Sequence, residues 1–349
     1  MTGAAGAVGS RVVRRLAREP SDLEVLAIDK VAIPSSPGAD AKLIDLASGD
    51  LGAAFAGADS IVHLASTSTA GEIDPSAEAL ELAILQRVLD AAAEAVVGQV
   101  VVLSSATVYG AWVGNPVPLT EEAPVRPNPD FGWAMLRATV EQTALEWGQG
   151  RSDTGVAVLR AAAVVTDDDL GQLARVLHNA RIGIAADGDP PVQYLHVEDL
   201  ASAITAAVVG GFDGVANVAP DGWIPPDSLR DLEGPRPRLR VPWWAARGIA
   251  SLRWRAGFSP IPPGIVPYTS HSWVIANDRI RQLGWVANYS NEEAWVVSHD
   301  PSPLDRLPAR RQQELALGAA VVIAVGSVVG LVALVRWLRR RTPDLYSEL

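Results

Sequence analysis

Residues 2–9 read TGAAGAVG, a T-G-x-x-G-x-x-G pattern, and a helical stretch follows at 10–18. Gly3, Gly6 and Gly9 at this spacing let the backbone turn tightly and approach a pyrophosphate. The free N–H groups and dipole of the helix behind the turn favour an anion. Such a turn has meaning only between a buried parallel strand and a helix. It therefore commits the chain to an α/β, doubly wound parallel sheet of Rossmann-like form. One residue precedes Thr2, and a sheet without its central first strand would leave the neighbouring strand edges unpaired. The expectation is that the first strand is missing here, that the natural start lies upstream, and that Met1 stands where a hydrophobic strand residue belongs.

Downstream, apolar runs alternate with helical stretches. Strands are expected at 23–28, 42–46, 60–64, 99–103 and 156–159, with helices at 76–97 and 133–147. This alternation implies a parallel sheet covered on both faces. Past residue 165 the pattern loosens, with helices at 170–180 and 198–209 and strands at 192–195 and 215–218. Residues 220–265 are rich in Pro, Arg and Trp and read as a small irregular lobe. The expected organisation is a dinucleotide-binding domain over 1–165, the remainder of the sheet plus a substrate lobe over 166–299, and a polar linker at 300–314.

Residues 315–335 carry no charge, and twelve of these 21 are Leu, Ile or Val. As a helix they would extend about 31 Å, close to the hydrocarbon thickness of a bilayer. Arg336, Trp337, Arg339, Arg340 and Arg341 follow at once. A buried core helix is the alternative, but the terminal position and the flanking arginines favour a single transmembrane helix with a short tail at 336–349. Gly326 and Gly330 form a GxxxG pair through which two such helices would pack closely, pointing to a homodimer. Arginines lie on both sides of the span, with a slight excess after it, which favours a cytoplasmic C-terminus. The absence of a secretory signal and the need for a cytoplasmic dinucleotide argue the other way. A membrane-held protein with its large domain in the cytoplasm is the expectation.

Composition excludes several classes. The 349 residues carry a net charge of −11, and no basic stripe stands out over the first 300, which argues against nucleic acid as a partner. There is no cysteine, so disulfides, thiolate metal sites and Cys nucleophiles are excluded. The five histidines, His63, His178, His196, His271 and His299, form no close pair, so no metal site is expected. Lys30 and Lys42 are the only lysines.

Asp29 ends the second expected strand, 20 residues after Gly9. An acidic side chain there bonds the adenosine ribose hydroxyls and disfavours a 2′-phosphate, so NAD is expected over NADP, with Lys30 keeping NADP open. Together these residues resemble the extended short-chain dehydrogenases/reductases of the NAD-dependent epimerase/dehydratase family, from residue 2 to about 298. Asp45-Leu46 matches the family's Asp near the adenine. GADSIVHLAS at 57–66 matches its fourth strand, and SSATVYG at 104–110 its catalytic Ser/Thr segment. PVPLTEEAPVRPNP at 116–129, HVEDLA at 196–201 and LGW at 283–285 match further elements in the right order.

The resemblance implies acid–base chemistry coupled to hydride transfer, mainly on nucleotide sugars. In that scheme a tyrosine exchanges a proton with the substrate, a lysine four residues later lowers its pKa and bonds the nicotinamide ribose, and a Ser or Thr holds the substrate oxygen. Ser105 falls at the Ser/Thr position. Anchoring on Val140-Glu141 places Trp133 at the Tyr position and Arg137 at the Lys position. Indole has an N–H but accepts no proton. Arg137 keeps a charge and would still reach the ribose, although its fork is not equivalent to an ammonium. Glu81 stands where the family usually has Asn, and VVTD at 164–167 replaces V-Y-G-P.

Other groups have bland and functional readings. Tyr109 is a weak stand-in for the missing tyrosine. His63 reads as structural and His196 as a helix-start contact ahead of Glu198. Arg160 either faces the cleft or pairs with a carboxylate. Arg236, Arg238 and Arg240 either meet a diphosphate or form a solvated loop. The Trp-rich stretch 243–254 reads as lobe core or as packing near a membrane surface. Two functions remain open: a membrane-anchored family enzyme acting on a nucleotide sugar or similar molecule, or an inactive NAD-binding sensor or scaffold at the membrane.

Overall fold

The computed structural model describes residues 1–19, 23–71, 74–167, 169–181, 183–234, 238–259 and 261–299. Its first half runs α1 (Ala7–Leu16), β1 (Val25–Asp29), β2 (Ala39–Leu43), α2 (Leu51–Phe55), β3 (Ser60–His63), α3 (Pro75–Glu94), β4 (Gln99–Ser105), α4 (Gly132–Gln149) and β5 (Gly155–Ala161). The second half continues β6 (Ala163–Val165), α5 (Gly171–Ala180), β7 (Gly183–Ala186), β8 (Tyr194–His196), α6 (Val197–Val209), β9 (Gly214–Val218) and α7 (Pro226–Glu233). It ends with β10 (Arg238–Val241), α8 (Trp243–Arg255), α9 (Val266–Ser270), α10 (Asp278–Arg281) and α11 (Asn291–Val297).

Strands β3-β4-β5-β9 form one parallel sheet and β1-β2 a parallel pair beside it. The expected place of the first strand is the gap between them, and Met1 and Thr2 stand at its C-terminal end. Thr2 bridges Ile28 on one side and His63 on the other, both in parallel register. Ile28 N donates to Met1 O at 2.8 Å, Thr2 N to Val62 O at 2.9 Å, and Leu64 N to Thr2 O at 3.1 Å. The result is one continuous twisted layer at the point where strand order reverses.

Period-two alternation in the central strands builds two cores. Val100, Val102, Val156 and Val158 face α2, α3 and α4, with Leu85, Leu89, Leu136 and Val140. Val101, Ala157 and Leu159 face α1 and α6, with Val12, Val13, Leu200 and Ile204. Both faces are dry, which is why these strands read as unbroken apolar runs. Residues 166–299 return α6 and β9 to this layer, so the irregular lobe is the smaller part of that segment. In the lobe, β7 pairs with β10 and β6 with β8.

Two strand expectations shift. The strand expected at 42–46 is β2, Ala39–Leu43. It is an edge strand with mostly exposed side chains, so the hydrogen bonds of β1 set its limits rather than apolar content. The strand expected at 192–195 divides: Val192 bridges Ile224 antiparallel, and Tyr194–His196 pairs with β6. The linker at 300–314, the apolar run 315–335 with its GxxxG pair, and the tail at 336–349 lie outside the described residues. Among the described residues no helix is long and apolar enough to cross a membrane.

Candidate functional site

The glycine turn closes as its spacing demands. Gly3 sits at φ +75°, and a Cβ there would lie 2.5 Å from Ala65 N. A Cβ on Gly9 would lie 2.0 Å from Gly3 O. Both positions exclude any side chain, and the loop holds its backbone against the start of α1. Asp29 projects beside it. Its Oδ2 accepts from Ala5 N at 3.0 Å and its Oδ1 from Val31 N at 3.3 Å. A carboxylate offers about four lone-pair directions, so two remain for ribose hydroxyls. Asp45 caps the turn after β2, accepting from Ala47 N at 2.9 Å, and Leu46 beside it is buried. These residues fit the adenosine and pyrophosphate half of a dinucleotide.

Next to the turn opens a cavity of about 490 Å³, lined by Ala7, Val8, His63, Ser66, Glu81, Ser105, Trp133, Arg137, Ala161, Thr166, Asp169 and Arg175 among others. It lies at the C-terminal ends of β3, β4 and β5, where open α/β sheets bind ligands. Ser105 caps a 3-10 turn at Ala106–Tyr109. Its Oγ accepts from Thr107 N at 3.3 Å and from Thr107 Oγ1 at 3.0 Å, so its own proton is left to donate.

The floor of the cavity departs most from the resemblance. Arg137, one turn beyond Trp133 on α4, is only 7% exposed and forms an ion pair with Glu81 of α3. Glu81 is 3% exposed, and Ser66 Oγ, Thr67 N and Ser68 N donate to it at 3.0–3.2 Å. The carboxylate is thus saturated by the loop after β3 as well as by the guanidinium. Trp133 lies over Arg137, with 4.7 Å from the guanidinium carbon to the ring centroid. Burial lowers the Arg137 pKa to about 10, so the side chain stays charged at neutral pH. Arg137 Nε and Trp133 Nε1 are buried without a hydrogen-bond partner among the described residues. Both residues line the cavity, and no proton acceptor occupies the Trp133 position.

Sequence reasoning flagged Glu81 and Arg137 separately but missed their pairing, along with Ser66, Thr67, Ser68, Asp169 and Arg175. The available signal was a lone acid and a lone base interrupting the apolar faces of two neighbouring helices.

The remaining candidates resolve as structural. Tyr109 is buried; its hydroxyl donates to Asn217 Oδ1 and accepts from Arg160 Nη1, both at 2.7 Å. It has no free hydrogen-bonding capacity, and burial raises its pKa further. Arg160 pairs with Glu141, which also accepts from Ser104 Oγ at 3.0 Å. Of the two readings of Arg160, the carboxylate partner is the one observed. His196 begins α6, its Nδ1 accepting from Glu198 N at 3.3 Å while its ring stacks on Tyr289. Asp199 of the HVEDLA segment accepts from Asn288 N and Tyr289 N at 2.9 Å, and Trp285 of LGW donates to Ser202 Oγ at 2.9 Å. Those two segments clasp one another across the chain. Arg236 lies outside the described residues, and Arg240 pairs with Asp189 at 2.7 Å. Among the described residues no group of three or more His, Asp or Glu is placed to hold a metal ion.

His63 is 5% exposed and bonded to Thr2 Oγ1 at 2.8 Å. Burial, then Arg137 and the chain's amino group, lower its pKa to about 4. The unfolded chain takes up a proton near 6.5, so stability is full above that value and falls as pH drops toward 4. Between about pH 7.5 and 5 the expected loss is about 2 kcal/mol. Urea unfolding at the two pH values measures it. The buried Met1 amino group, lowered from 8.0 to about 5, acts in the same window and direction, so His63→Asn should remove only the His63 share, and an unchanged difference would assign the loss to other groups.

Residues 1–218 match the NAD dependent epimerase/dehydratase family, and the chain belongs to it. NAD is the cofactor of that family. Among curated proteins the chain is similar to uncharacterized protein Rv0501 of Mycobacterium tuberculosis and Mb0513 of Mycobacterium bovis. Each is 26% identical over 306 residues, covering 84% of this chain and 81% of the relative. Among solved structures it resembles MoeE5 in complex with UDP-glucuronic acid and NAD, with TM-score 0.62, 23% identity, and coverage of 85% of this chain and 95% of that one. It also resembles the Thermotoga maritima UDP-glucose 4-epimerase with UDP-glucose, with TM-score 0.62, 18% identity, and coverage of 85% and 96%. At these identities the likeness shows the fold.

Proposed function

We propose that this chain is an NAD-binding protein held at a membrane, in which the family's proton relay has been replaced by a fixed cation. It binds NAD, with a nucleotide sugar or similar small molecule in the cavity, and it reports or holds that bound state rather than turning substrate over by a Tyr/Lys route. The observation that carries this reading is the contrast between the two halves of the cleft. The glycine turn and Asp29 keep every feature that a dinucleotide needs, whereas Trp133 and the Glu81-paired Arg137 stand where a proton must move.

Gly3, Gly6 and Gly9 would hold the pyrophosphate, Asp29 the adenosine ribose, and Asp45-Leu46 the adenine side. Arg137, through its unspent Nε, would meet the nicotinamide ribose. NAD, when bound, supplies a hydride acceptor at the cavity. Ser105 and Arg137 donate hydrogen bonds there, which orients a ligand oxygen without removing its proton. An indole accepts no proton, and a guanidinium stays protonated, so neither replaces the phenol. The family enzyme acting on a nucleotide sugar is the second reading, favoured by the retained Ser105 and by the cavity's volume. Anchoring through residues 315–335 is supported by their length and lack of charge.

Calorimetric titration of the full chain in detergent with NAD tests the first half. Binding is expected, and Asp29→Ala should weaken it by about tenfold or more, the loss of one charged hydrogen-bond acceptor. No heat of binding from a folded chain would overturn the reading. Incubation with NAD and UDP-glucose should leave the sugar unchanged. Sustained conversion, lost in Ser105→Ala, would establish the second reading instead.

A further inference from the structure

In a chain of net charge −11, the 44 residues from 234 to 277 hold six arginines and no Asp or Glu. That concentration corrects the sequence reading that no basic stripe stands out. The described part of this segment is also unusually apolar on its surface. Trp244 is 66% exposed, Leu252 70% and Phe258 80%. On α8, Trp244, Gly248, Leu252 and Arg255 recur at spacings of four, eight and eleven, which places them on one stripe of the helix. Ala246 and Ala250 on the other side pack against Ala186 and Val266. The inner face is thus made of small residues, and the large ones point outward. Neighbouring acids answer only part of the charge: Arg247 pairs with Asp130 and Arg240 with Asp189. Arg255, on the stripe, is exposed and has no ion-pair partner among the described residues, whereas Arg253 lies half a turn away and lines the crevice beside Ala246 and Ala250.

The described residues also end near α5, the helix beside α8. His299, the last described residue, has its ring 5.2 Å from that of His178 on α5. The end of α5, Asn179 and Ala180, lines a crevice with Ala246, Ile249 and Ala250 of α8. Residue 299 therefore lies near the end of α5 that faces α8, the helix whose other side carries the patch, and the uncharged run begins 16 residues later, at 315.

We infer that the outer stripe of α8 with Phe258 is a membrane-docking surface that seats the lobe on an anionic bilayer. It rests on the proposed anchoring through 315–335 and adds to it a defined orientation. Trp244, Leu252 and Phe258 enter the headgroup–acyl boundary, where Trp is favoured, while Arg255 on the same stripe meets lipid phosphates and carboxylates. Each arginine is worth about fivefold in partitioning onto an anionic surface. A nucleic acid would use the same cations, but it would not select for aliphatic and phenyl side chains at the surface. With the lobe seated, the cavity next to β6 and α5 is held at a fixed height above the lipid.

The absence of cysteine permits a direct test on the full chain. Phe258→Cys carries a polarity-sensitive thiol label, and Val96→Cys, 78% exposed between α3 and β4, carries the same label as a control. Both are mixed with vesicles of phosphatidylcholine, or of phosphatidylcholine with phosphatidylserine, and floated. The expected result is that the Phe258 label blue-shifts and loses most of its quenching by aqueous iodide on anionic vesicles, while the Val96 label does not. Adding Arg255→Gln should cut the bound-label signal about fivefold, whereas Arg253→Gln, on the other side of α8, should change it little; circular dichroism would verify folding.

A chain that floats with both vesicles while its Phe258 label stays open to iodide retains its anchor and overturns the docking surface. A chain that floats only with anionic vesicles, with a protected label, supports the surface and removes the anchor. No flotation overturns both. Protection before any vesicle is added would mean that a second copy or another segment covers the patch, which also overturns the proposal.

Discussion

Replacing Glu81 with alanine is expected to lower folding stability by about 3–5 kcal/mol, the usual consequence of leaving a buried charge without its partner. Arg137 is 7% exposed, and its pKa of about 10 keeps it protonated at any neutral pH. It cannot escape the loss by neutralising. The alanine also strands the donors Ser66 Oγ, Thr67 N and Ser68 N, which now converge on the carboxylate. Glu81→Gln is expected to fall short of rescue, because its amide nitrogen would face other donors. Removing the cation as well, in Glu81→Gln/Arg137→Met, should recover stability relative to Glu81→Ala. Urea unfolding of the three variants would measure this. A cost below about 1 kcal/mol for Glu81→Ala would mean that water reaches the pair and that it behaves as a surface contact.

Gly9→Ala is expected to abolish measurable NAD binding while leaving most of the fold in place. The added methyl would sit 2.0 Å from Gly3 O and 3.0 Å from Ala4 Cα. Backbone cannot swing aside as a side chain does, so the turn must part from α1. That separation moves the N–H groups off the position where a pyrophosphate would sit. A displacement of this kind removes several hydrogen bonds at once, so the expected fall in affinity is at least about a hundredfold. Gly6→Ala separates the causes, since its Cβ would approach Gly3 O only to 3.4 Å: the turn should keep its shape, and any loss of affinity would come from the methyl against the bound pyrophosphate. Equal affinity in Gly9→Ala and the unchanged chain would show that the turn does not contact the cofactor.

These two variants probe opposite halves of the cleft, and the halves differed in how visible they were in the sequence. The glycine turn, Asp29 and the buried strands are local: spacing of a few residues and period-two alternation specify them before any packing occurs. Helices α1, α3, α4, α5 and α6 fall close to their expected positions for the same reason. The edge strand β2 did not, because its limits are written in the hydrogen bonds of β1. The clasp between Asp199 and residues 288–289 was likewise hidden, since it joins segments about 90 positions apart.

By itself, the sequence determined the doubly wound layer, the glycine turn, the placing of Trp133 and Arg137 one helical turn apart and the uncharged run at 315–335. Each depends on residue type at short, fixed spacing. Tertiary structure alone decided that Thr2 bridges β1 and β3, that Arg160 belongs to Glu141, and that Arg137 is held by Glu81 beneath Trp133. Those outcomes depend on which strands and helices become neighbours. A buried charge must find a partner wherever the fold brings one within reach, and pairings such as Glu81–Arg137, 56 residues apart, follow from packing rather than from spacing.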